Sequence, residues 1–166
     1  TLNYAYPIVV GYKNNVGVGY RFNFKDPFSF RELDFSISYT PNEWKNGLIE
    51  GDRELEKDEQ IHSSINYSAV RLGGFLSGNY NIFASYNKAN FYDLFGPTQR
   101  SRKGVSFGFD YSNSIIYDPP SILDVNLGFT GYYGLDQSPE FQQINFSKDE
   151  FNTNLFYDVK ASLSFS

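Results

Sequence analysis

A chain of 166 residues is one domain by length, and its formal net charge of −5 leaves no basic face for a nucleic-acid partner. There is no run of eighteen or more apolar residues, so no transmembrane helix is expected, and the absence of cysteine rules out a disulfide framework. Seventeen Phe and fourteen Tyr, punctuated by fourteen Gly and seven Pro, point instead to an all-β chain.

Eight segments alternate with period two, the repeat of a strand whose successive side chains point to opposite faces. The first sets Leu2, Tyr4, Tyr6, Ile8, Val10 and Tyr12 against Asn3, Ala5, Pro7 and Gly11. The second sets Val16, Val18, Tyr20, Phe22 and Phe24 against Gly17, Gly19, Arg21 and Asn23. In the third, Leu33, Phe35, Ile37 and Tyr39 oppose Asp34, Ser36, Ser38 and Thr40; in the fourth, Ile61, Ile65, Tyr67 and Ala69 oppose His62, Ser64, Asn66 and Ser68. The fifth opposes Tyr80, Ile82, Ala84 and Tyr86 to Asn79, Asn81, Ser85 and Asn87, with Phe83 as an apolar residue on the polar side. The sixth and seventh set Val105, Phe107, Phe109 and Tyr111 against Ser106, Gly108 and Asp110, and Leu123, Val125, Leu127 and Phe129 against Asp124, Asn126 and Gly128. The eighth sets Leu155, Tyr157, Val159, Ala161, Leu163 and Phe165 against Asn154, Asp158, Lys160, Ser162 and Ser164.

Volume decides which face is inside. A barrel of about eight strands has an interior just wide enough to be filled by side chains, and the aromatic rings of the apolar face do not fit there. Ser, Asn and Gly suit a narrow lumen. The expectation is therefore a transmembrane antiparallel up-and-down β-barrel of about eight strands spanning residues 1–166, apolar outward and polar inward. Thr1 in place of an initiator Met leads to the expectation of a mature or truncated segment of a longer precursor, and Ser166 after the in-phase Phe165 leaves two expectations open, one tolerated trailing residue or a chain that continues.

Connection lengths give an orientation. The short connections Lys25-Asp26-Pro27, 70–74 and 117–120 alternate with the long stretches 42–58, 88–102 and 134–150. Outer-membrane barrels carry short periplasmic turns and long extracellular loops, so the long stretches and the Lys13-Asn14-Asn15 turn are expected outside a Gram-negative outer membrane, with both termini periplasmic. Trp44, Tyr12, Tyr39, Tyr117 and Tyr133 are then expected as interfacial girdles.

Few residues carry chemistry. His62, the only histidine, shares a face with Ser64 and neighbours Asp34, Ser36 and Ser38, the components of an acyl hydrolase, but a hydrogen-bonded lumen histidine is the preferred reading and no catalysis is expected. Arg21, Asp34, Asp110, Asp124, Asp158 and Lys160 fall on the inner face, where an isolated charge is expensive. They are expected to pair, for example Asp158 or Asp124 with Lys160, and to plug the lumen. The acidic run Glu50, Asp52, Glu54, Glu56, Asp58 and Glu59 lacks calcium-loop spacing, so neither a metal nor a cofactor is expected. Arg100, Arg102 and Lys103 form a basic cluster that either pairs with this acidic loop or holds lipid phosphates.

The stretch Phe91-Tyr92-Asp93-Leu94-Phe95-Gly96-Pro97-Thr98, followed by Arg100-Ser101-Arg102-Lys103-Gly104, resembles a segment in the C-terminal barrel region of large Bacteroidota surface proteins. Those proteins join a TolB-like periplasmic propeller to a membrane barrel, and the resemblance implies an anchoring role without catalytic residues. The function expected is that of an outer-membrane anchor or scaffold. Its partners would be outer-membrane lipid or lipopolysaccharide and other envelope proteins. The alternatives are an outer-leaflet lipid or peptide hydrolase working through His62, and part of a larger transport barrel.

Overall fold

The computed structural model describes residues 1–12, 15–42, 55–74, 77–91, 102–118, 120–135 and 155–165. Eight long strands form where the alternation predicts them: β1 (Leu2–Tyr12), β2 (Asn15–Lys25), β3 (Arg31–Tyr39), β4 (Ile61–Arg71), β5 (Gly78–Lys88), β7 (Arg102–Asp118), β8 (Ser121–Tyr133) and β9 (Leu155–Phe165). A two-residue strand, β6 (Asn90–Phe91), and a single 3-10 turn at Lys57–Glu59 complete the described elements. The long strands follow one another in chain order in a single antiparallel sheet, each paired to the next, and β6 lies on the free edge of β1.

The register assigns the faces. Residues directly opposite in an antiparallel ladder point the same way, and the pairs Ser38↔His62, Ser64↔Ser85, Ser85↔Ser106 and Ser106↔Tyr132 carry one polar face across five strands. Ile65↔Ala84, Ala84↔Phe107 and Phe109↔Phe129 carry the apolar face beside it. The sheet curls so that the polar face is concave: a cavity of about 520 Å³ is lined together by Ile8, Ser38, His62, Ser85, Thr130 and Lys160, drawn from β1, β3, β4, β5, β8 and β9. Phe83, the apolar exception on this face, lies over its partner Gly108, which has no side chain to obstruct the ring.

β1 reverses the expected assignment. Ile8 pairs with Gly19, Val10 with Gly17 and Tyr12 with Asn15, so these apolar residues point into the concavity and are its buried side chains, while Val9 joins Val18 on the convex face. A register shift between Leu2 and Tyr4 leaves Leu2 opposite the outward Phe24 but sets Tyr4 against the inward Asn23. The cause is volume. Gly17 and Gly19, the register partners of Val10 and Ile8, put no side chain of their own in the way of these residues, and β1's alternate positions Ala5, Pro7 and Val9 are themselves apolar enough to face outward.

The sheet is not closed, contrary to the barrel expected from the sequence. β1 pairs with β2 on one side and, through Val10↔Phe91 and Gly11↔Asn90, with β6 on the other. β9 pairs with β8 and, among the described residues, has no partner strand on its other edge. The chain leaving β5 therefore reaches across to β1 and takes the upper part of the edge that a closing strand would use.

Short connections (residues 26–30, 72–77 and 119–120) gather at the end where β1 begins and β9 finishes, and the long ones at the other end, as their lengths predict. Of the expected girdle residues, Tyr39 and Tyr133 point outward and are exposed, whereas Tyr12 is fully buried inside the concavity. Trp44 and the side chain of Tyr117 lie outside the described residues.

Candidate functional site

Among the described residues a polar cluster stands at the end of the sheet away from the short turns, where Tyr12, Asn15, Thr40, Glu59, His62 and Asn87 are all buried. His62 sits at its centre. Its Nδ1 lies 2.9 Å from the Asn87 carbonyl, which can only accept, so Nδ1 carries the proton. Nε2 then accepts from the Thr40 hydroxyl at 2.8 Å, and the ring packs on Tyr12 with centroids 4.3 Å apart.

Asn87 binds the cluster together. Its backbone has a positive φ of 46°, which asparagine tolerates better than most residues, at the register shift between Tyr86 and Lys88. From that kink its amide donates to the carbonyls of Asp58 (2.5 Å) and Ile61 (3.1 Å) and its Oδ1 accepts from the Gly104 backbone amide (2.9 Å), tying β4, β5, β7 and the 3-10 turn into one unit. Asn42 clasps the same segment through both backbone groups of Leu55.

Lys103 anchors the acidic segment. Its Nζ lies 2.6 Å from Glu56 and 2.9 Å from Asp58, so this member of the basic cluster pairs with the acidic loop. Arg100 and the side chain of Arg102 lie outside the described residues, as do Glu50, Asp52 and Glu54. The Lys103 ammonium bonded to the Asp58 carboxylate holds that carboxyl below its ordinary range. A lowered folded pKa stabilises above the unfolded pKa and is lost as pH falls through the folded value. Protection of the 55–60 segment in amide exchange is therefore expected to hold at neutral pH and to fall only below pH 3.8, the ordinary value for this group.

The expected inner-face charges divide into three groups. Arg21 Nε donates to both oxygens of Asp34, at 2.8 and 3.0 Å; the Tyr4 hydroxyl and Asn23 amide add longer bonds to the same carboxylate, and Asn23 continues to Glu32 at 2.7 Å. Asp124 accepts from Ser114 at 2.5 Å. Lys160 contacts Asp158 two residues earlier on its own strand at 3.3 Å, and Asp110 faces it across Gly128 in register. The interior they line is not filled: beside the 520 Å³ cavity a second one of about 820 Å³ lies between Asn81, Asp110, Asn126 and Lys160.

The candidate hydrolytic set does not come together. Ser64 is hydrogen-bonded to Ser36 at 2.7 Å, and Asp34 is committed to Arg21 opposite Asn66, four residues and about 13 Å along the strand from His62. The hydroxyl that reaches His62 belongs to Thr40, which is fully buried. Thr40 and Asn87 escaped sequence reading because each acts through contacts more than twenty residues away. Their only local signal was a polar residue at a strand end.

His62→Ala is expected to cost about 3 kcal/mol, because it removes the Tyr12 ring contact and leaves a buried carbonyl and hydroxyl without partners. Denaturant titration measures it, and a loss under about 1 kcal/mol would show that the cluster is not packed as described.

Comparison of the chain with protein-family models, with curated proteins and with solved structures finds no match.

Proposed function

We propose that this chain is the membrane-embedded part of an outer-membrane-type β-barrel, acting as an anchor or scaffold whose long-loop end meets other envelope components. The observation that carries the reading is the convex face. All eight long strands present apolar side chains outward, among them Tyr20, Ile37, Ile65, Ile82, Phe109, Leu127 and Leu163, and all of these are exposed. Among the described residues the buried hydrophobic side chains number only five: Ile8, Val10, Tyr12, Leu55 and Leu135. In water such a sheet would expose its largest apolar surface and bury almost none; in lipid the same surface is solvated.

Strand length agrees. Five of the long strands have 11 residues, and a tilted strand needs about nine to eleven to cross the hydrocarbon core. In this reading the short turns and both chain termini are periplasmic, the long connections are extracellular, and lipid or lipopolysaccharide covers the convex face. The barrel region of TolB-like Bacteroidota surface proteins remains the family proposed for it.

A second reading, part of a larger transport barrel, is favoured by the open edge of β9 and by the unfilled concavity. Lipid has no groups to satisfy unpaired backbone, so this edge needs a partner strand. Folded and boiled samples are expected to migrate differently on a gel, and identical migration would overturn the membrane reading. Because the chain contains no cysteine, pairs of cysteines introduced along β1 and β9 separate the two architectures. Cross-linking between them supports an eight-stranded closure, and its absence at every register supports the larger barrel.

A further inference from the structure

Two arginines occupy the convex face, where the membrane reading makes charge most costly. Arg31 opens β3 and Arg71 closes β4, both at the short-turn end. Arg31 pairs with Ala69, two residues from Arg71 on the same face, which makes the arginines diagonal neighbours with Cα atoms about 7–8 Å apart. Among the described residues neither guanidinium has a hydrogen-bond or ion-pair partner. The nearby carboxylate of Asp26 accepts the Phe30 backbone amide at 2.8 Å and holds the β2–β3 turn.

A mainly apolar cleft of about 660 Å³ adjoins the pair, walled by Phe30, Tyr67, Leu72 and Tyr80, with Asp26 also on its lining beside the two arginines. Ala69 lies opposite both Arg31 and Tyr80, and its small side chain forms the floor between the two tyrosines. Two cations without partners at the mouth of an apolar groove call for one kind of ligand: an anion attached to a hydrocarbon tail. Guanidinium matches phosphate oxygens in a forked geometry, and arginine reaches the headgroup level from a strand end while its stem stays in the apolar layer.

We infer that Arg31 and Arg71 bind the phosphodiester of an anionic glycerophospholipid, with an acyl chain lying over Ala69 between Tyr67 and Tyr80. The inference rests on the membrane reading. It adds to that reading a specific lipid site on the face that otherwise takes lipid as bulk solvent.

The test uses the whole chain in non-ionic detergent, with retention of added dioleoyl phosphatidylglycerol read by native mass spectrometry. The R31Q/R71Q double variant is expected to weaken retention by about tenfold or more. Lys25→Gln removes one positive charge at the same end, from the inward Lys25–Glu32 pair, and should leave retention unchanged, while R31Q and R71Q taken singly, each also removing one charge, should each weaken it. Equal retention by the double variant would overturn the site, as would displacement of the lipid by inorganic phosphate at matched concentration, or equally tight retention of dioleoylglycerol, which lacks the phosphate. Heat-modifiable migration measured on the same samples keeps the two readings apart. If the wild type is heat-modifiable and lipid retention is indifferent to the arginines, only the lipid site fails; if migration is unchanged by boiling, the membrane reading fails and takes the site with it.

Discussion

Replacing Ile82 by arginine is expected to destabilise the protein in lipid vesicles by about 2–4 kcal/mol, while arginine at the adjacent Asn81 costs less than about 1 kcal/mol. The two positions differ by one residue and face opposite ways. Ile82 sits in the middle of β5 with its side chain on the convex face, 51% exposed, between Tyr67 and Phe109. A guanidinium there would have to leave water for hydrocarbon at the depth where neither membrane surface is within reach. Asn81 faces the concavity opposite Asp110, beside a cavity large enough for the longer side chain and with a carboxylate to receive it. Urea titration of the vesicle-inserted protein measures both. In a water-soluble sheet the order would reverse, because Ile82 would already face solvent; a cost at Ile82 no larger than that at Asn81 would therefore sink the membrane assignment.

The contrast depends on an alternation that was legible in seven of the eight long strands. From β2 through β9 the polar side is dominated by Ser, Asn, Gly and Asp, so most residues vote independently for their face and the paired register returns the same division. Even Phe83 stayed on the polar side despite its chemistry, because its neighbours fixed the phase and Gly108 gave it space. β1 failed for a physical reason. Its alternate residues Ala5, Pro7 and Val9 are also apolar, so period two told nothing about direction, and the deciding feature, Gly17 and Gly19, lay on the next strand. Closure was illegible in another way: it depends on what pairs with the outer edges of β1 and β9, and the claim of Asn90 and Phe91 on β1 has no counterpart in any strand pattern.

The candidate site was legible in its members more than in its connections. Arg21 pairs with Asp34 within the expected inner-face set, Lys160 meets Asp158 on its own strand with both side chains largely exposed, and Lys103 takes the acidic-loop side of the two alternatives left open for it. His62 was correctly placed on the inner face. Its partners were not legible, since the Thr40 hydroxyl and the Asn87 carbonyl come from a strand end and a kink rather than from the serines that share its face. The histidine read as a hydrogen-bonded inner-face residue is held by Thr40 and by Asn87, the residue that also fastens Asp58 and Ile61 through its amide.

The reversed face of β1 has its own test in the inward glycines. Gly19→Ala is expected to cost roughly 3 kcal/mol, because an added Cβ would meet the Ile37 carbonyl and lie 2.5 Å from Ser38 Cβ and 2.6 Å from Ser38 Cα, and backbone of a paired strand cannot step aside. Gly128→Ala on the same concave face should be nearly neutral, since the new methyl would meet only the Asp110 side chain at 2.9 Å and Lys160 Cβ at 3.7 Å, and the carboxylate has cavity to move into. At Gly17 the third neighbour is Val10 Cγ2, at 3.0 Å. There the cost of alanine should fall by about 0.5–1 kcal/mol when Val10 is first shortened to Ala, a coupling that exists only if Val10 points inward. Additive effects at Gly17 and Val10 would return β1 to the outward orientation that its own residues suggest. A Gly19→Ala cost equal to that of Gly128→Ala would mean that β2 and β3 do not approach as closely as their register requires.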